Sequence, residues 1–292
     1  MKVITRLSVW VTLAPLLTIA LNAQTATKQL VPVNVSIGDV TDNRTTGSFN
    51  SECKVELKFT GDAANDAATV RQVRLKKAID ELGRDLNRED AFDSFGSSSS
   101  GQRTGALKAQ VRVRNPSRNA TVIKTLEGEV ELFNPTAANG GILTVRDILK
   151  HPAEAVQDPA LKKYGIEVMY LTKESYEAKK KEIEEKQKNE AGGQIGEAFG
   201  ELFKGMFGSM MSSGGKNAVK LYLKDGEKRV IELDFQDASG KPLKRNGSFS
   251  SGEMRQFEFN APLPADAQLI IHLATPESLK TLPFKIENIP LP

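Results

Sequence analysis

One cysteine, one tryptophan and two histidines in 292 residues leave few of the side chains that redox, metal and nucleophilic chemistry draw on. A lone Cys53 cannot close an intramolecular disulfide, and no Cys-x-x-Cys is present to hold zinc or exchange thiols. His-Glu-x-x-His, Gly-x-Ser-x-Gly and a glycine-rich phosphate loop are missing as well. His151 precedes Pro152 in a polar connection, and His272, between Ile271 and Leu273, is expected on the outer face of a strand. A two-histidine metal site is therefore not expected. The chain reads as a non-enzyme, with no catalytic residue, no cofactor and no metal.

An excess of charge of one sign is also missing. Lys2 and Arg6 precede an apolar stretch from Leu7 to Leu21, and Ala20 and Ala23 supply small residues before Gln24. This is the pattern of a secretory signal peptide over residues 1–23, cleaved near Ala23, with a secreted or periplasmic product. Its apolar run is shorter than the ~20 residues a spanning helix needs. Its removal takes 40 basic residues to 38 against 37 acidic ones, a formal charge of +1. That balance gives no electrostatic case for nucleic acid. The leader also carries Trp10, so the mature chain has no tryptophan to stack on a sugar.

What is present is alternation. Val55, Leu57 and Phe59; Val73 and Leu75; Leu107, Ala109, Val111 and Val113; Val219, Leu221 and Leu223; Ile231, Leu233 and Phe235; and Leu269, Ile271 and Leu273 each alternate with mostly polar neighbours. A period of two buries one face of a strand and wets the other, as in antiparallel sandwiches. Cys53 falls in phase with Val55, Leu57 and Phe59, which makes it a core residue rather than a reactive thiol.

Three stretches recur in order. Asp80–Leu86 and Asp237–Leu243 share Asp-x-x-Gly-basic-x-Leu; Ile123–Leu126 resembles Leu279–Leu282; Val55–Phe59 resembles Val219–Leu223. The offsets are 157, 156 and 164, which reads as two copies of one β unit. The shared motif predicts a turn in which Asp accepts backbone N–H groups and Gly takes a positive φ. A calcium site over Asp80, Glu81 and Asp85 is the sharper alternative, but the second copy keeps only Asp237 of these acids.

Between the copies, Glu174–Asn189 is almost wholly charged, with Glu177–Lys181 and Glu182–Lys186 in the favourable i,i+4 order. Thr172 is placed to cap its start. Apart from Tyr176 and Ile183 it lacks an apolar stripe, so it is expected to stand in solvent or bridge elements. In the next stretch, Ile195, Phe199, Leu202, Phe203, Met206, Phe207 and Met210 fall on one helical arc. Gly196, Gly200, Gly205 and Gly208 interrupt it, each costing ~1 kcal/mol relative to Ala. Such a helix needs a partner for its apolar face: its own sandwich, another protein or second copy, or a membrane surface.

The pattern resembles Ig-like sandwiches in general, which implies a fold but carries over no functional residue. The expected fold class is mainly β: two tandem Ig-like antiparallel β-sandwich domains with a helical insertion. Copy 1 spans 28–136. Copy 2 takes 140–171 and 217–292, with residues 172–216 inserted as the charged helix and the Gly-rich amphipathic helix. The expected function is a secreted non-enzymatic interaction or scaffold protein that associates through 195–211. The alternative is a small-ligand or glycan-binding module using the loops around 80–101 and 246–253.

Overall fold

The computed structural model describes residues 33–45, 51–88, 106–191, 215 and 217–292. All of these belong to one compact unit, Val31–Pro292. The expected leader, 1–23, lies outside them.

In chain order the elements are β1 (Asn34–Asn43), β2 (Glu52–Thr60), α1 (Asp62–Asp66), β3 (Thr69–Asp80), β4 (Leu107–Val113), β5 (Val122–Phe133) and β6 (Ile142–Val145). A short 3-10 turn, Ile148–Lys150, leads to α2 (Pro159–Lys163), β7 (Glu167–Leu171) and α3 (Lys173–Ala191). Then come β8 (Ala218–Lys224), β9 (Val230–Gln236), β10 (Arg245–Ser251), β11 (Met254–Phe259), β12 (Gln268–Leu273) and β13 (Leu279–Pro290). The protein is mainly β, and its strands form antiparallel sheets in the orders β1-β2-β4, β13-β5-β3, β10-β11-β8-β7 and β6-β12-β9.

Alternation explains the packing. Along β2 the inward side chains Cys53, Val55, Leu57 and Phe59 are fully buried, while Lys54, Glu56 and Lys58 face outward. They join Val111 and Val113 of β4 and meet Val130 of β5 and Phe284 of β13 in one core. Phe59 and Phe284 touch edge to face across it, with ring centroids 6.4 Å apart. A second core draws on Leu221 of β8, Phe257 of β11, Phe235 of β9 and Ile271 of β12. Each core thus lies between two sheets, the packing of a β-sandwich. Each large side chain fully buried in it contributes ~1.5–3 kcal/mol.

The C-terminal strand departs from expectation. The sequence pattern places residues 279–290 in the second copy, yet β13 pairs along its length with β5, from Leu279 opposite Phe133 to Pro290 opposite Val122. Its Leu282, Phe284 and Ile289 are buried in the first core. Conversely, β6, which follows β5 in the chain, pairs with β12, and its Leu143 and Val145 pack against the second core. Alternation says which face of a strand is buried; it does not say which sheet receives the strand.

The two Asp-x-x-Gly-basic-x-Leu stretches form the same turn, one after β3 and one after β9. The Asp80 N–H donates to the Arg84 carbonyl, the Gly83 N–H to the Asp80 carbonyl, and the Leu86 N–H to the Ala78 carbonyl. Asp237, Lys241, Gly240, Leu243 and Phe235 make the matching three bonds. Gly83 and Gly240 take φ of 87° and 86°, the left-handed region that a side chain resists. The strips Ile123–Leu126 and Leu279–Leu282 do not hold matching places. They lie in β5 and β13, adjacent strands of one sheet.

Candidate functional site

The predicted association face, Ile195, Phe199, Leu202, Phe203, Met206, Phe207 and Met210, lies outside the described residues, as does the Gly-rich helix expected over 192–215. The structure does show how the flanks of that segment are held. Thr172 caps α3, its Oγ1 accepting from the Ser175 N–H at 3.2 Å. Tyr176 and Ile183 stand seven residues apart, hence on one face of the helix. Tyr176 is 2% exposed and packs on Leu171, Tyr222 and Met254, with Met169, Ile183 and Phe249 at the margin.

The charged helix therefore does not stand free in solvent; it docks on the outer face of the β10-β11-β8-β7 sheet. Lysines complete this contact. Lys220 Nζ lies 3.9 Å from the centre of the Tyr176 ring and Lys179 Nζ 4.6 Å from that of Tyr222. Partial burial lowers the pKa of Lys220, against the pull of Glu177. Burial, followed by a hydrogen bond and the charge of Glu253, pushes the Tyr222 phenol up. Two apolar side chains suffice to dock a charged helix because lysine stems and cation–π contacts cover the rest. At the other flank, Asn217 Nδ2 donates to the Phe259 and Asn260 carbonyls just before β8 begins. The helix leading into the segment and the strand leading out of it thus share one sheet.

Of the stretches expected to serve ligand binding, 80–88 and 246–253 lie among the described residues. Asp80 is fully buried. Its Oδ1 accepts from the N–H groups of Leu82 (3.0 Å) and Arg84 (2.8 Å), and its Oδ2 from Ser117 N–H (2.8 Å). Both carboxylate oxygens are engaged by backbone donors, which is turn chemistry and not cation ligation. Burial works to raise the Asp80 pKa, but the donors from Ser117, Arg84 and Leu82 outweigh it and hold the carboxyl below its usual range. Residues 89–101 lie outside the described residues. Residues 246–253 are not a loop: they are most of β10 and its tight connection to β11, paired from Arg245 opposite Phe259 to Ser251 opposite Met254. Successive side chains there point to opposite faces and do not converge.

One charged group was not foreseen. Glu232 and Asp234 alternate on β9, and His272 on β12 stands opposite Glu232 in register. Arg245 at the start of β10 reaches over, with Nη2 2.8 Å from Glu232, Nη1 3.6 Å from Asp234, and Nη1 donating to the Leu233 carbonyl at 2.8 Å. His272 Nε2 lies 3.2 Å from Asp234 Oδ2. Burial first, then the neighbouring Asp234 charge, raises the Glu232 pKa, with Arg245 opposing. β9 and β10 are edges of the two sheets around the second core, so Arg245 ties those edges together. In sequence only Glu-x-Asp was visible; its partners come from β12 and β10. His272 does face outward as expected, and His151 sits in an exposed connection 3.3 Å from Glu154.

A cavity of about 380 Å³ opens beside β6, lined among others by Thr144, Arg146, His151, Glu154 and Asp158. Asp158 spends its Oδ1 capping α2, accepting from the Ala160 and Leu161 N–H groups. Among the described residues no cluster of three or more His, Cys, Asp and Glu is arranged to hold a metal, and no helix is long and apolar enough to cross a membrane. Neither a family model, a curated protein nor a solved structure matches the chain.

Proposed function

We propose that this is a secreted or periplasmic, non-enzymatic interaction protein. Two Ig-like sandwiches, copies of one repeated unit, act as a scaffold for the inserted Phe- and Met-rich segment 195–211. That segment associates with another protein, a second copy of the chain or a membrane surface. The observation that carries this reading is the docking of α3. Tyr176, 2% exposed, fixes the helix to the outer face of a sheet, and the stripe-bearing segment follows directly from that helix. A docked helix leading into a Phe- and Met-rich sequence interrupted by glycine suits an adhesive element, because Met and Phe adapt to a partner surface.

Deletion of residues 192–215, with a short Gly-Ser linker in their place, tests the proposal. The expected result is that the intact chain self-associates or binds liposomes, and that the deletion abolishes this while leaving the melting temperature almost unchanged, read by light scattering and flotation. If the stripe instead serves as an internal cover, each large apolar side chain uncovered costs ~1.5–3 kcal/mol and the melting temperature falls steeply. A clearly destabilised deletion, or an intact chain that is strictly monomeric and ignores lipid, rejects the proposal.

A further inference from the structure

We infer that the two sandwiches have exchanged their last strands within the chain, and that this exchange joins them into one folding unit. The inference rests on the two-copy reading above but not on the role of segment 195–211. β2 lies between β1 and β4 in its sheet as β8 lies between β7 and β11; β3 pairs with β5 as β9 pairs with β12. The same turn, with the same hydrogen bonds, leaves β3 and β9. In this correspondence β6 is the strand after β5, and β13 is the strand after β12. Each is found beside the other copy's strand: β6 on β12 and β13 on β5. The exchange is reciprocal, and each strand delivers apolar side chains to the core it joins, Leu282, Phe284 and Ile289 to the first, Leu143 and Val145 to the second.

The two crossing connections are bonded to each other. The Asn134 N–H donates to the Ser278 carbonyl, the Leu273 N–H to the Gly141 carbonyl and the Thr275 hydroxyl to the Asn139 carbonyl, each at 2.8 Å. Thr275 and Ser278 are buried. At Gly141 a Cβ would come within 2.7 Å of Pro135 Cα, so the crossing requires a glycine there. Exchange of an identical element between like units is an established route to joining them, here carried out inside one chain. Neither core can lose its borrowed strand without opening, so the two should unfold together.

The test nicks the folded, full-length protein. A protease site is inserted between Ala137 and Ala138, both exposed in the first connection. After cleavage the downstream fragment still supplies β13 to the first core. The expected result is that both fragments elute as a 1:1 complex on native gel filtration and separate only in urea. Phe284→Asp, which puts a charge into the first core from the borrowed strand, should let the nicked fragments part without urea. Fragments that separate natively, or that stay together despite Phe284→Asp, would overturn the exchange. Should Phe284→Asp fail to fold, native-state hydrogen exchange on the unaltered chain decides. Amides of β2 and β8 should converge on one opening transition as urea rises. Opening of the second core with β2 still protected would overturn the coupling. Segment 195–211 is untouched throughout, so this outcome is independent of the deletion test.

Discussion

Truncating Asp80 should cost more than truncating its counterpart Asp237, although both sit in the same kind of turn. In Asp80→Ala, three backbone N–H groups lose a charged acceptor: Ser117 at 2.8 Å, Arg84 at 2.8 Å and Leu82 at 3.0 Å. Hydrogen bonds to charged groups contribute ~1.5–3 kcal/mol each. Leu82 and Arg84 lie at the exposed tip of the turn, so water replaces most of what their amides lose, leaving ~0.5–1.5 kcal/mol apiece. The Ser117 bond links the turn to the segment after β4 and counts in full. The sum is about 2.5–6 kcal/mol, a large share of the 5–15 kcal/mol typical of a domain. Asp80→Asn keeps an acceptor oxygen for Leu82 and Arg84 but turns an NH2 toward Ser117, so about 1.5–3 kcal/mol is expected. At Asp237 the donors are Ser239 N–H, Ser239 Oγ and Lys241 N–H in an exposed turn, so by the same reckoning Asp237→Ala should cost about 1–3 kcal/mol, less than Asp80→Ala by the bond to Ser117.

Urea unfolding at constant m-value reads all three variants. The sign with pH follows from the depressed pKa of Asp80. The unfolded chain takes up the proton first, near the usual ~3.9, so the stabilisation is complete above that value and is lost as pH falls through the lower folded value. The difference between wild type and Asp80→Asn should be flat near neutrality and shrink only in acid. Equal losses at Asp80 and Asp237, or a difference that already shrinks near pH 6, would refute the assignment of the energy to the bonds of the buried Asp80 carboxylate.

Cys53, fully buried, has its thiol pushed up to about 11 by burial and then by the Asp42 charge; native protein should resist a thiol reagent at pH 8 and react stoichiometrically only in denaturant. Gly128 lies mid-strand in β5, where a Cβ would land on the Arg74 carbonyl oxygen and 3.1 Å from Phe284; Gly128→Ala should therefore lower stability by at least ~1–3 kcal/mol, whereas Gly226→Ala, with nothing within 4 Å, should not. The pair is compared by thermal melting, and equal behaviour would contradict the close approach of β3 and β5.

The strands that sequence reading found are those with one apolar and one charged face, such as β2 and β4. β10 escaped because Arg-Asn-Gly-Ser-Phe-Ser-Ser carries one apolar residue; it is a strand because β11 offers it hydrogen bonds, not because it buries a face. β6 escaped because four residues are too few to show a period. The docking of α3 hangs on Tyr176 and Ile183, two residues whose target, the Tyr222 and Met254 patch, is assembled by β8 and β11 from distant parts of the chain. The charged group around Arg245 was hidden for the same reason: each member is ordinary alone, and only strand pairing brings them together.

The likeness of Ile123–Leu126 to Leu279–Leu282 shows how one sequence signal can have two physical sources. Read at an offset of 156, it looked like a third match between copies. In the structure the strips belong to adjacent antiparallel strands, with Leu282 opposite Val130, Ile286 opposite Leu126 and Lys285 opposite Glu127. Neighbours in one sheet face the same core and the same water, so they converge on the same alternation of apolar with Lys and Glu whether or not they share a position in a repeat. The turn motif is different evidence. Asp-x-x-Gly-basic-x-Leu prescribes a particular set of backbone bonds and a left-handed glycine, and the same bonds are made at both sites. Alternation is demanded by any half-buried strand, whereas a turn with a buried or solvated Asp, a positive-φ Gly and a returning Leu is one solution among many. Weight therefore belongs to the turns, together with the parallel sheet orders, when the two halves are matched. On the proposed two-copy reading, that matching is what sets β6 and β13 in each other's places.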